Sequence, residues 1–135
     1  MIPTNVSKYV LQAIINMNTA VHQSGSPQSI KVTTVVAMGV LGTSYPPSAA
    51  VFSNDSLQIM RGIVSFLQNQ GFPFFLNVYP YFSYASNPSK IRLVYALFDT
   101  TDVVVQDGNL QYKNLFYAMV DSMIWAVEKA GGSNV

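Results

Sequence analysis

Apolar residues recur at helical spacing in three stretches of the chain and crowd into β-rich runs between them. Val10, Ile14, Met17 and Val21 fall on one stripe, which predicts a helix from about Ser7 to Gln23. Asn5 or Ser7 is placed to cap its start, and Gly25 to end it in the left-handed region. Ile30 to about Met38 is dense in β-branched residues and predicts a strand. A long loop follows from Gly39 to Phe52, with Gly42, Pro46 and Pro47 as its punctuation. Leu57, Met60, Val64 and Leu67 predict a second helix from about Asp55 to Gln70, stopped by Gly71.

The stretch from Phe72 to Tyr84 organises the rest. Phe74, Phe75, Leu76 and Val78 leave no polar face, as in a parallel strand covered on both sides. Beyond them Asn77, Tyr79 and Tyr81 alternate with Val78 and Pro80, so a period of two aims an amide and two phenols one way if the strand stays regular to Tyr81. Such groups at the carboxyl end of a parallel strand form a site wall suited to sugars, offering flat apolar rings with polar tips. An aromatic plug closing the end of a barrel is an equally good reading of the same residues.

After Tyr84 the chain turns irregular at Asn87-Pro88, and Val103 to Tyr112 predicts a hairpin turning at Asp107-Gly108. Phe116, Met119, Met123 and Val127 predict a third helix from about Asn114 to Ala130, ended by Gly131-Gly132. Ser133 to Val135 would open another strand. The order helix, strand, helix, strand, helix argues a parallel α/β sheet with right-handed crossovers. Strand–helix units of about forty residues fit a (β/α)8 barrel with long upper loops, of which 135 residues supply about three of eight units.

Composition narrows the partners. Half of the residues are hydrophobic, 10% are charged and the net charge is +1, which gives no electrostatic case for nucleic acid. No apolar run reaches the roughly 18 residues of a membrane span, and Met-Ile-Pro-Thr-Asn does not read as a signal peptide. With no cysteine and only His22, no disulfide and no metal site is expected. No phosphate loop or dinucleotide fingerprint appears, so no cofactor is implied. Asn5-Val-Ser7 and Asn54-Asp-Ser56 make Asn5 and Asn54 candidate N-glycosylation acceptors.

Several linked blocks resemble the plant endo-1,3-β-glucanases of glycoside hydrolase family 17. Tyr9-Val-Leu-Gln-Ala-Ile14 is similar to the family's Y-V-L-x-A-I/M, on the helix after its fourth strand. Ile30-Lys-Val-Thr-Thr34 and Leu41-Gly-Thr-Ser-Tyr-Pro-Pro-Ser48 resemble its fifth strand and the loop beyond. Asn77-Val-Tyr-Pro-Tyr-Phe82 matches the end of its sixth strand. Tyr95-Ala-Leu-Phe98, Val103-Val-Val-Gln-Asp-Gly108 and Asn114-Leu-Phe116 match the block after it. The resemblance covers essentially the whole chain, as a central fragment from the fourth helix to the start of the seventh strand, all within one catalytic barrel.

What it implies is retaining cleavage of internal β-1,3-glucosidic bonds by two carboxyl groups about 5–5.5 Å apart. The family carries them in G-N-E-V on the fourth strand and S-E-S/T-G-W-P on the seventh. Neither motif is present: Ile2-Pro3 resembles the residues just after the first, and Val135 the strand leading to the second. Asp55, Asp99, Asp102, Asp107, Asp121 and Glu128 are the acids present. They read as a helix N-terminal charge (Asp55), residues of the irregular segment (Asp99, Asp102), a turn residue (Asp107) and a solvated helix flank (Asp121, Glu128). The chain is therefore expected to contain no catalytic residue, to be inactive alone, and to fold poorly or self-associate. Asn77, Tyr79, Tyr81 and Phe82 are the expected contacts to a β-1,3-glucan polysaccharide or oligosaccharide. The parent protein is expected on the secretory route, to the cell exterior, the wall or the vacuole. The alternative is a non-catalytic protein that binds β-1,3-glucan through the same aromatic wall.

Overall fold

The pairing of Val35–Ala37 (β1) with Phe75–Asn77 (β4) is parallel, in the register Val35 with Phe75, Val36 with Leu76 and Ala37 with Asn77. This computed structural model describes residues 6–25, 27 and 29–133. The expected cap at Asn5 and the strand beginning toward Val135 lie partly or wholly outside them. In chain order, a single 3-10 turn at Ser7–Tyr9 leads into α1 (Val10–Gln23), then β1. The antiparallel pair β2 (Leu41–Thr43) and β3 (Val51–Phe52) precedes α2 (Asn54–Gln70) and β4. Two short helices follow, α3 (Pro80–Ser86) and α4 (Leu93–Ala96). The hairpin β5 (Val105–Asp107) and β6 (Leu110–Tyr112) then leads into α5 (Leu115–Lys129).

The helices form much as their apolar stripes dictate. Met60, Ile63, Val64 and Leu67 of α2 are buried, and Gly71 ends the helix at φ 64°. The backbone carbonyl of Ser53 accepts from the amides of Ser56 and Leu57, and Asp55 lies in the first turn, where the helix dipole favours an acid. Asn114 caps α5 with its side chain, accepting from the Tyr117 amide at 3.0 Å. Gly62 lets α1 pack closely on α2: a Cβ there would stand 2.5 Å from Leu11 Cδ2.

Two stripes are rotated from expectation. Met17 is exposed, and Asn18 takes the buried position after Ile14, donating to Gln70 Oε1 at 3.5 Å. On α5, Leu115 is buried while Phe116 is 38% exposed. In each case the sequence offers two adjacent residues for one slot, and the neighbouring helix or hairpin selects between them.

The strands are shorter than their sequence signals, and β4 is not covered on both faces. Val36 is fully buried and Leu76 half-buried, toward the helices. Val35 and Phe75, on the other face, are 41% and 50% exposed. Among the described residues the only printed ladder partner of β4 is β1, and that second face is the more exposed one. An apolar run needs neighbours to be buried; the run by itself does not supply them.

One core joins α1, α2 and α5 to β1 and the 40–52 segment, through Ile14, Val36, Phe52, Ile63, Leu67 and Met123 among others. A second packs Tyr95, Val105, Tyr112, Leu115 and Met119, seating α4 and the hairpin on the first half of α5. The more exposed β1–β4 face carries a direct expectation. Exposed apolar side chains on this face, Phe75 above all, should drive association. In size-exclusion chromatography the chain should elute ahead of its monomer position, shifting with concentration; a monodisperse monomer at all loadings would contradict this.

Candidate functional site

Asn77 ends β4 on the open face, in register with Ala37. Val78 then turns inward, packing against the second core, and Tyr79 turns out again at 53% exposure. The two-residue alternation therefore holds from Asn77 to Tyr79. It stops there. Pro80 occupies the first turn of α3, and Tyr79, at φ −128° and ψ 80°, is its cap residue. The single direction expected for Asn77, Tyr79 and Tyr81 is thus corrected: Tyr81 projects from a helix. The sequence held the signal, because proline is favoured at a helix's first position and pushes the residue before it out of the helical region.

The helix still gathers the aromatic residues. The ring centroids of Tyr79 and Phe82 lie 5.7 Å apart, those of Tyr81 and Phe82 6.2 Å, and those of Tyr81 and Tyr84 6.0 Å. Tyr81 and Phe82 are 55% and 63% exposed. Tyr84, not singled out from sequence, completes the group and packs into the second core, so the cluster is anchored at one end. Tyr79, Tyr81 and Phe82 are exposed in this chain, and of the group only Tyr84 packs against a core. The group offers apolar ring faces and phenol hydroxyls to solvent, with the Asn77 amide on the strand just before it.

The loop after β1 is held firmly. Asp107 accepts from the Ser48 amide at 2.7 Å and from Ser48 Oγ at 2.6 Å. Ser122 Oγ donates to the Ser44 carbonyl at 2.9 Å, and Lys129 Nζ to the carbonyls of Ser48 and Ala50 at 2.5 and 3.0 Å. Asp107 therefore closes β5 rather than sitting in the turn; the two-residue loop is Gly108-Asn109, with Gly108 at φ 57°. Asp121 is likewise no freely solvated flank, since it accepts from the Tyr112 hydroxyl at 2.9 Å. Asp55, Asp99, Asp102 and Glu128 are exposed. Among the described residues no group of His, Cys, Asp and Glu is placed to hold a metal ion, and no helix is long and apolar enough to cross a membrane. Asn54 is exposed at the start of α2, and Asn5 lies outside the described residues.

Between the 38–47 loop, α4, the hairpin and α5 lies a cleft of about 710 Å³. Tyr95 lines it and is 4% exposed, and its hydroxyl has no hydrogen-bond partner. Burial, with Tyr45 beside it, pushes the Tyr95 phenol up from 10.0 to about 12. Burial and the bond to Asp121 push Tyr112 in the same direction. In the unfolded chain both phenols lose their protons near pH 10, while in the folded chain they keep them. Their contribution to stability is therefore complete below about pH 10 and is lost as the pH rises from about 10 to 12. Urea midpoints should fall across that window, and fall less steeply in Tyr95→Phe; an unchanged slope in the variant would show that Tyr95 ionises freely.

The geometry can be set beside known proteins. A relative from Vitis vinifera, named glucan endo-1,3-beta-glucosidase, is 49% identical over 129 residues, covering 96% of this chain and 38% of its own length. A basic vacuolar isoform of glucan endo-1,3-beta-glucosidase from Nicotiana plumbaginifolia is 45% identical, covering 96% of this chain and 36% of its own. Among solved structures, CJP38, a β-1,3-glucanase and allergen of Cryptomeria japonica pollen, superposes with a TM-score of 0.89 at 46% identity, over 95% of this chain and 39% of that one. The chain thus spans well under half the length of these relatives. The family model for Glycosyl hydrolases family 17 matches residues 1–135, and the chain belongs to that family.

Proposed function

We propose that this chain is the central portion of a retaining endo-1,3-β-glucanase, in which it binds β-1,3-glucan through Asn77, Tyr79, Tyr81 and Phe82. The observation that carries this is the exposed ring cluster at the carboxyl end of a parallel strand, in a chain whose relatives are named for hydrolysing this glucan. The succession β1, α2, β4, α5 supports residues 1–135 as about three of the eight units of one (β/α)8 barrel, from its fourth helix to the start of its seventh strand. The open face of β1 and β4 would then look into the barrel. Relatives named as vacuolar support a secretory route for the parent protein. The chain alone does not hydrolyse glucan: its one glutamate, Glu128, is exposed on α5, and two of its aspartates are engaged in structural hydrogen bonds.

A second reading, a non-catalytic glucan-binding protein, draws on the same cluster, which needs no catalytic pair to present its rings. Affinity electrophoresis tests the wall in either case. Migration of the chain should be retarded in gels containing soluble β-1,3-glucan and not in gels containing a β-1,4-glucan. Tyr81→Ala/Phe82→Ala should abolish the retardation, since aromatic stacking supplies most of such contacts. Equal migration with and without β-1,3-glucan would remove the wall from the site.

A further inference from the structure

The cleft beneath Tyr45 and Tyr95 has a chemistry of its own. It is lined by two cations, Lys90 and Arg92, and by no carboxylate. Among the described residues neither cation has an ion-pair partner, and both are exposed at the cleft. In its wall the buried Tyr95 hydroxyl is left without a hydrogen bond. Buried polar groups are nearly always satisfied, and each exception calls for a missing partner. Ser83 Oγ, also in the lining, makes only long contacts, to the Tyr79 carbonyl at 3.4 Å and to Met119 Sδ at 3.7 Å. The Tyr45 ring is 70% exposed, so one of its faces is open to a flat apolar partner. A cleft of about 710 Å³ is within the usual range for small-molecule sites, with room for one or two sugar rings.

We propose that this cleft binds an anionic, polyhydroxylated small molecule, a sugar acid or sugar phosphate, with its anion between Lys90 and Arg92, a ring against Tyr45 and a hydroxyl on Tyr95. The guanidinium and ammonium groups supply charge-assisted donors, which favour an anion over a neutral sugar of the same shape. The Tyr95 phenol keeps its proton to about pH 12 and so stays a neutral hydroxyl able to donate or accept. This goes beyond glucan recognition, because β-1,3-glucan carries no charge.

Saturation-transfer difference NMR on the 135-residue chain tests the proposal and tolerates self-association, since transfer grows more efficient with particle mass. The probes are D-glucuronate, glucose 6-phosphate and glucose. At least one anionic probe should bind at least about tenfold more tightly than glucose, the value of one charge-assisted hydrogen bond. Whichever anionic probe binds identifies carboxylate or phosphate as the source of the charge. Lys90→Ala/Arg92→Ala removes only exposed side chains and should erase that preference. Tyr95→Phe keeps the buried ring and should weaken all binding here by several-fold. Equal binding of glucose, no transfer to either anionic probe, or an undiminished preference in the double variant would each overturn it.

Discussion

Incubated with a soluble β-1,3-glucan, the purified chain is expected to release reducing ends at less than about one-thousandth of the rate of a full-length family 17 glucanase, because groups that act as a catalytic unit fail together when they are removed. Retaining hydrolysis needs one carboxyl group to protonate the leaving oxygen and a second, about 5–5.5 Å away, to attack the sugar. Two of the acids of this chain are held in side-chain hydrogen bonds, and the other four are exposed. Asp107 is bonded to Ser48 and Asp121 to Tyr112, while Asp55 stands exposed in the first turn of α2. Glu128 stands exposed on α5. A reducing-end assay at matched molar concentration decides it, and turnover within about a thousandfold of the full-length enzyme would show that a pair among these acids is competent.

The second large effect concerns the wall inside a complete enzyme carrying this stretch, and it rests on the proposed glucanase function. Tyr79→Phe is expected to lower kcat by on the order of 10²–10³, the usual loss for one positioned donor at developing charge. Tyr81→Phe should do much less. The difference comes from Pro80. Tyr79 keeps the alternation of β4 and follows Asn77 out over the open face, whereas Tyr81 is carried off on α3, ring to ring with Phe82 and Tyr84. A phenol just beyond the strand end, out over the open face, can hold a nucleophilic carboxylate or a sugar hydroxyl. A phenol on the helix can stack, and loss of stacking raises KM more than it lowers kcat. Steady-state kinetics on a β-1,3-glucan oligosaccharide separates the two; a larger kcat loss for Tyr81→Phe would mean that α3, not the strand, aims the working hydroxyl.

Much of the fold was legible because its signals were local. The buried line of α2 and the left-handed glycines that end helices at Gly25 and Gly71 each depend on a few neighbouring residues. What the pattern could not show was set by partners distant in sequence. Whether Met17 or Asn18 faces inward depends on α2, and whether Phe75 is buried depends on a covering layer. Asp107 resembles any turn aspartate until Ser48, 59 positions away, is found against it. The aromatic residues were visible as a set, and Tyr79, Tyr81, Phe82 and Tyr84 do lie ring to ring. Their single direction fails because the alternation was carried through Pro80, which opens a helix. The Lys90–Arg92 cleft left no trace in the pattern at all, since its lining comes from segments between Met38 and Ser122 that only folding brings together.

The tethering of the 44–50 segment bears on how this scaffold can be engineered. Its carbonyls at Ser44, Ser48 and Ala50 are fastened to α5, and the Ser48 amide to the hairpin. Despite its prolines and its length, this is a poor place to splice in foreign sequence, because an insertion would break the bonds that fasten it to α5 and the hairpin. The tip at Gly108-Asn109 is the better graft point: it is exposed, it projects past the last rung of its ladder, and a peptide inserted there would leave both cores undisturbed.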